Sequence, residues 1–171
     1  MLGTFAHELT HAIDFYQMAL KENLDYYDPL LATDKYLMFH LWSEYHARKL
    51  GYSFLRKQLN VDADVNNEKK MIDYIKNIEW PNHLKRHYHE YHKTNNGNIQ
   101  MNDTMQLLGR YAVWSDLFPE EINEPALKEI FINSPWMYNI YTFLRQHNSL
   151  DSVYPNFEAM RLILKENWKW L

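Results

Sequence analysis

Glycine and proline number only 4 and 6 among 171 residues, and that shortage of chain-breakers leaves little room for strands joined by tight turns. Apolar residues instead recur at three- and four-residue steps, the spacing of one face of a helix. Between Thr4 and Met18 they are Phe5, Leu9, Ala12, Ile13 and Tyr16, and this helix is expected to end near Glu22. Tyr26 to Pro29 reads as a loop, because a residue preceding proline avoids the helical region. A second helix is predicted from the capping pair Thr33-Asp34 to about Leu59, with Leu37, Leu41, Ala47, Leu50 and Phe54 as its apolar positions.

After a polar turn over Asn60–Asn67, a third helix is expected from Glu68 to Thr94, broken or kinked at Pro81. Asn95-Asn96-Gly97-Asn98 reads as a loop, followed by a helix from Asp103 to Leu117. Asn123-Glu124-Pro125 is a cap followed by an early-turn proline, opening a helix interrupted at Ser134-Pro135. The last helix is expected from Pro155 to Trp168. The fold class is therefore all-α, a bundle of about six helices. No linker or repeat divides it, so residues 1–171 form one domain, with 1–59 as a helix pair and 60–171 as supporting helices.

Hydrophobic residues make up 46% of the chain, enough for a core without covalent staples, and cysteine is absent. That excludes thiolate metal sites, a cysteine nucleophile and a disulfide scaffold. The net charge of −4 argues against a nucleic-acid partner. No apolar run is long enough to span a membrane, and no signal-peptide pattern is seen, so a cytoplasmic protein is expected.

The residues that carry chemistry are His7-Glu8-Leu9-Thr10-His11, an H-E-x-x-H pattern on a helix. Positions i and i+4 share a face, so His7 and His11 can reach one metal ion. Glu8 lies about 100° round the helix, near enough to meet a water on that metal without being a ligand. Zinc suits two imidazoles and a third protein ligand with one position left open, and it lowers the pKa of its water to around 7. Glu8 is then placed to act as general base.

The third ligand follows from lengths. Asp14 and Gln17 stand where a metzincin needs glycine and histidine, which leaves a carboxylate on the next helix. His11 to Glu22 is about 16 Å of helix, and Asp34 to Glu44 runs about 15 Å back along an antiparallel partner. Glu44 therefore returns to the level of His11. His40 and Arg48 lie one turn either side of Glu44, and His40 or His46 is the rival ligand. Asp14 is placed either to accept a ring N–H from a ligand histidine or to lie on the surface. Arg48 is expected to pair with Glu8, Glu44 or a substrate carboxylate, or to be a solvated helix arginine.

With these residues in place the chain resembles a zincin metallopeptidase of the gluzincin type. His7-Glu8-Leu9-Thr10-His11-Ala12 resembles the zinc helix of thermolysin-like enzymes. Four residues after Glu44 stands Arg48, where those enzymes carry an aspartate. Glu44-Tyr45-His46-Ala47 is more similar to the E-x-x-A element of ImmA/IrrE-type metallopeptidases, although the residues from Leu50-Gly51 onward do not match that family. The resemblance covers roughly residues 4 to 55. It implies zinc held by His7, His11 and Glu44, with Glu8 as base and peptide or protein as substrate. Zincins place a β-sheet before this helix, and only six residues precede His7 here. The expectation is either a fragment of a longer protein or a reduced protein that kept the metal helices.

The run from His83 to His92 holds four histidines among Lys85, Arg86 and other polar residues, and reads mainly as a wet helix face. Tyr111, Trp114, Tyr138, Tyr141 and Phe143 sit at helical spacing and read as core. Two functional readings follow. One is a zinc metallopeptidase. The alternative is a non-catalytic helical interaction or accessory domain whose metal site is structural, vestigial or absent.

Overall fold

The computed structural model describes residues 2–24, 34–59, 97–132 and 134–168, with isolated positions between 70 and 82. Described residues are helical almost throughout, and no strand occurs among them. The helices are α1 (Leu2–Glu22), α2 (Asp34–Leu59), α3 (Gly97–Leu117), α4 (Glu124–Ile130), α5 (Pro135–Gln146), the four-residue α6 (Leu150–Val153) and α7 (Phe157–Lys165). A 3-10 turn over Tyr154–Asn156 joins the last two. The loops expected at Tyr26–Pro29 and Asn60–Asn67 and the histidine run His83–His92 lie outside the described residues. So does the helix expected over Glu68–Thr94, apart from isolated positions.

The chain itself writes most helix ends. Asn23 has φ 52°, and beyond α1 the Leu24 N–H donates to the Ala19 carbonyl at 2.9 Å and the Asn23 N–H to Leu20 at 3.3 Å. This is a Schellman stop, with asparagine tolerating the left-handed conformation. At the start of α4 the Ala126 N–H donates to Asn123 Oδ1 at 3.2 Å, and Pro125 occupies the first turn, as the sequence predicts. Ser134-Pro135 separates α4 from α5. Some boundaries differ from expectation. Gly97 and Asn98 open α3 rather than ending a loop, the last helix covers Phe157–Lys165 rather than Pro155 to Trp168, and the short α6 and the 3-10 turn before it were not expected.

Helix α2 is the hub. It packs against α1 on one side, α3 on another and α7 near its start. The core between them is aromatic: Phe39, Trp42, Tyr45, Tyr111, Trp114 and Phe131 are each at most 2% exposed. Trp114 and Tyr111 meet edge-to-face, as do Tyr111 and Phe131, with centroids 5.2 Å apart in each pair. The polar edges are served as well, since Trp42 Nε1 donates to the His147 carbonyl and Trp114 Nε1 to the Tyr52 hydroxyl, both at 3.1 Å. Tyr111, Trp114, Tyr141 and Phe143 are buried core, and Tyr138 packs at its margin.

Two glycines let the three long helices approach closely. A Cβ on Gly51 would stand 2.7 Å from the Gly3 carbonyl and 3.2 Å from His7 Cβ, and one on Gly109 would stand 2.7 Å from the Tyr45 carbonyl. The α1–α2 and α2–α3 crossings therefore both require glycine. These crossings place His7, Glu44 and α3 side chains at one level of the bundle.

Helix α1 is inverted relative to an ordinary surface helix. His7, Thr10, Asp14 and Met18 face inward and are buried, whereas Phe5, Leu9, Ile13, Tyr16 and Leu20 are 48–66% exposed. In α2, Leu41 and Ala47 are buried, but Leu50 and Phe54 are exposed.

Candidate metal centre

Histidine on the inward face of a helix must find partners, because a buried polar group without one is costly. His7 and His11 find each other. Their Nε2 atoms lie 3.1 Å apart, with rings nearly perpendicular. His11 Nε2 lies 3.7 Å from Glu44 Oε1 across the α1–α2 interface. One nitrogen from each ring and one Glu44 oxygen all fall within 4.8 Å of one another, a group able to hold a metal ion. A tetrahedral zinc with bonds of 2.0–2.1 Å would separate two ring nitrogens by about 3.3 Å. The observed spacing is close to that, and the carboxylate must close by up to about 1.5 Å on the His7 side to join.

The surrounding hydrogen bonds fix what each ring presents. Asp14 is 1% exposed and accepts from Ser43 Oγ at 2.9 Å. The single Ser43 proton goes to that carboxylate, so Ser43 Oγ accepts at its other contact, 2.8 Å from His11 Nδ1. His11 is thus the Nδ1–H tautomer, and in the neutral ring its Nε2 lone pair faces His7 and Glu44. Asp14 also accepts from His46 Nδ1 at 3.0 Å, and the His46 ring stacks on Trp42. His46 therefore belongs to the support and not to the donor group.

Glu44 is braced from α3. Its Oε2 accepts from Gln106 Nε2 at 2.9 Å, and Gln106 Oε1 in turn accepts from Arg48 Nη2 at 2.5 Å. Arg48 is not the solvated arginine that its helix position suggested. It pulls the Gln106 amide into the orientation whose NH2 faces Glu44. The remaining Glu44 oxygen is turned towards His11, with His40 Nε2 3.9 Å away on the other side. His40 also lies 3.3 Å from Asn102 Nδ2 and stacks on Tyr36, so it borders the group without joining it.

Electrostatics favour neutral imidazole, the form that binds metal. Burial chiefly, then the Arg48 guanidinium and the His11 ring, push His7 below the ordinary value of 6.5, against the pull of Glu44 and Glu8. Burial does the same to His40. Among the described residues His7 Nδ1 is buried with no hydrogen-bond partner. Glu8 is exposed at the border of the group, where its charge acts on both His7 and Arg48.

No family model, curated protein or solved structure matches the chain.

The structure thus brings together His7, His11 and Glu44, with Glu8 and His40 beside them. Asp14 reaches His11 only through Ser43 and not by a direct bond to its ring N–H, Arg48 reaches Glu44 only through Gln106, and His46 stands behind Asp14. Sequence reasoning missed Ser43, Asn102 and Gln106. The two α3 residues stand about sixty positions from the motifs they touch, and no spacing rule links them. Ser43 was findable in principle, since it shares the inward face of α2 with His46 three residues on.

Proposed function

We propose that this chain is a zinc-dependent hydrolase acting on peptide bonds, with His7, His11 and Glu44 as metal ligands and Glu8 as general base. The observation that carries the reading is the approach of the two Nε2 atoms to 3.1 Å, with the Glu44 carboxylate opposite. Two imidazoles and one carboxylate are the donor set of a catalytic zinc that keeps a position open. When bound, such a metal supplies Lewis acidity, polarising a substrate carbonyl and acidifying water.

The chain's own residues do the rest. Asp14, through Ser43, holds the His11 ring by its far nitrogen, and Gln106 with Arg48 holds the Glu44 carboxylate by its far oxygen. Both ligands are thereby oriented before metal arrives, which lowers the ordering cost of binding. Glu8, exposed at the border of the group, would take a proton from the attacking water and pass it to the leaving amine. On this reading His40, 3.9 Å from Glu44 Oε1, would contact a substrate group held beside that carboxylate.

The test is Glu8→Gln on purified protein. Zinc content should stay near one per chain while hydrolysis of a casein or mixed-peptide substrate falls by at least about 100-fold, the usual worth of a positioned base. Wild-type protein that holds zinc yet cleaves no peptide would favour the accessory-domain reading.

A further inference from the structure

The outward face of α1 has no partner in the described bundle. At about 100° per residue, Phe5, Leu9, Ala12, Ile13, Tyr16 and Leu20 fall within one arc of about 100°, directly opposite the arc of His7, His11, Asp14 and Met18. All six are exposed, the five large ones by 48–66%. At about 150–250 Å² per large side chain, these five present roughly 500 Å² of apolar surface. That is about the size of the largest apolar patch on a typical monomer, and such patches are often functional. A standard interface buries about 800 Å² per partner, so the stripe with its polar rim supplies most of one.

The stripe is also its own complement. Reversing the order of residues 5 to 20 exchanges Phe5 with Leu20, Leu9 with Tyr16 and Ala12 with Ile13, so the set of apolar positions maps onto itself. A two-fold antiparallel pair of helices needs this pattern, because each patch must meet its own reverse. Beside the axis Ala12 meets the Ala12 of the second copy on one side of the seam, and Ile13 meets its own copy on the other. Within the arc there is no charged residue, and Glu8 and Gln17 border it on either side.

We propose that α1 is the pairing face of a homodimer, two copies of this chain packed antiparallel about an axis between Ala12 and Ile13. The pairing leaves the His7–His11 side of each helix turned into its own bundle, so it stands independently of the zinc reading.

Sedimentation of the full chain should give twice the 20.8 kDa chain mass at tens of micromolar concentration. Ile13→Asp should weaken the dimer at least tenfold with helix content unchanged. Register is tested by cysteine, since the chain has none. Oxidised Ala12→Cys should cross-link to itself, sitting beside the axis. Phe5→Cys and Leu20→Cys should each fail alone and cross-link when mixed. These cysteine variants keep the test decisive if Ile13→Asp does not fold. A chain that stays at 20.8 kDa at every concentration, a dimer indifferent to Ile13→Asp, or Phe5→Cys linking to itself would overturn the proposal.

Discussion

Ser43 shows how one small side chain sets the chemistry of another. Its hydroxyl has one proton, Asp14 takes it, and His11 must then donate from Nδ1. Ser43→Ala removes the acceptor and leaves the His11 ring free to rotate. Zinc affinity, read by competition with a coloured chelator, should fall about 10- to 100-fold, the usual effect of losing such a support. Unchanged affinity would mean that the His11 tautomer is set elsewhere. Gln106→Leu should have a similar effect through Glu44, because the carboxylate loses the donor that turns it. Neither effect was legible in the sequence. The H-E-x-x-H spacing names two candidate ligands because i and i+4 share a helix face. A glutamine about sixty residues away carries no such signature.

Among the described residues the all-helical class and the long helices α1 and α2 were legible because breakers are few and caps are explicit. Asn123-Glu124-Pro125 is a cap by chemistry alone, and the return of Glu44 to the level of His11 needed only a rise per residue. The facing of α1 was not legible. Its apolar stripe reads as an inward face, yet its histidines and aspartate point inward, because they find Ser43, His46 and Glu44 there. The helix crossings also depend on Gly51, whose role emerges only when α1 lies across it. Gly51→Ala should force the α1 and α2 backbones apart, costing about 1–3 kcal/mol in urea unfolding, as overpacking does. It should weaken zinc binding as well, since His7 Cβ is among the atoms displaced.

The far end of α1 is tied by Glu22, which pairs with Lys35 at the start of α2 and accepts from the Tyr154 hydroxyl. The hydrogen bond from Lys35 first, then that from Tyr154, hold the Glu22 carboxyl below its ordinary value. The stability this adds is therefore present above the ordinary carboxylate range. It is lost as pH falls through the lowered folded value. Glu22→Gln should remove that acid-side slope from the stability–pH curve. At neutral pH it should cost at most about 1 kcal/mol, because the pair is partly exposed.

Across the whole molecule, a metal held by His7 and His11 from α1 and Glu44 from α2 would be a staple between two long helices. Binding only the folded state at 100 times its dissociation constant would add about 2.7 kcal/mol. Thermal unfolding should then shift upward by about 5–10 °C with saturating zinc, at about 2–4 °C per kcal/mol for a chain of this size. A His7→Ala variant should show no shift. The described residues contain no helix long and apolar enough to cross a membrane.

The central claim is that three side chains from two helices converge on one cation. Zinc-edge X-ray absorption on the loaded protein reads that first coordination sphere directly. The account predicts two imidazole nitrogens at about 2.0–2.1 Å with the remaining ligands oxygen, and loss of the bound zinc in Glu44→Ala. Three or more imidazoles around the metal, or an unchanged spectrum in Glu44→Ala, would contradict it.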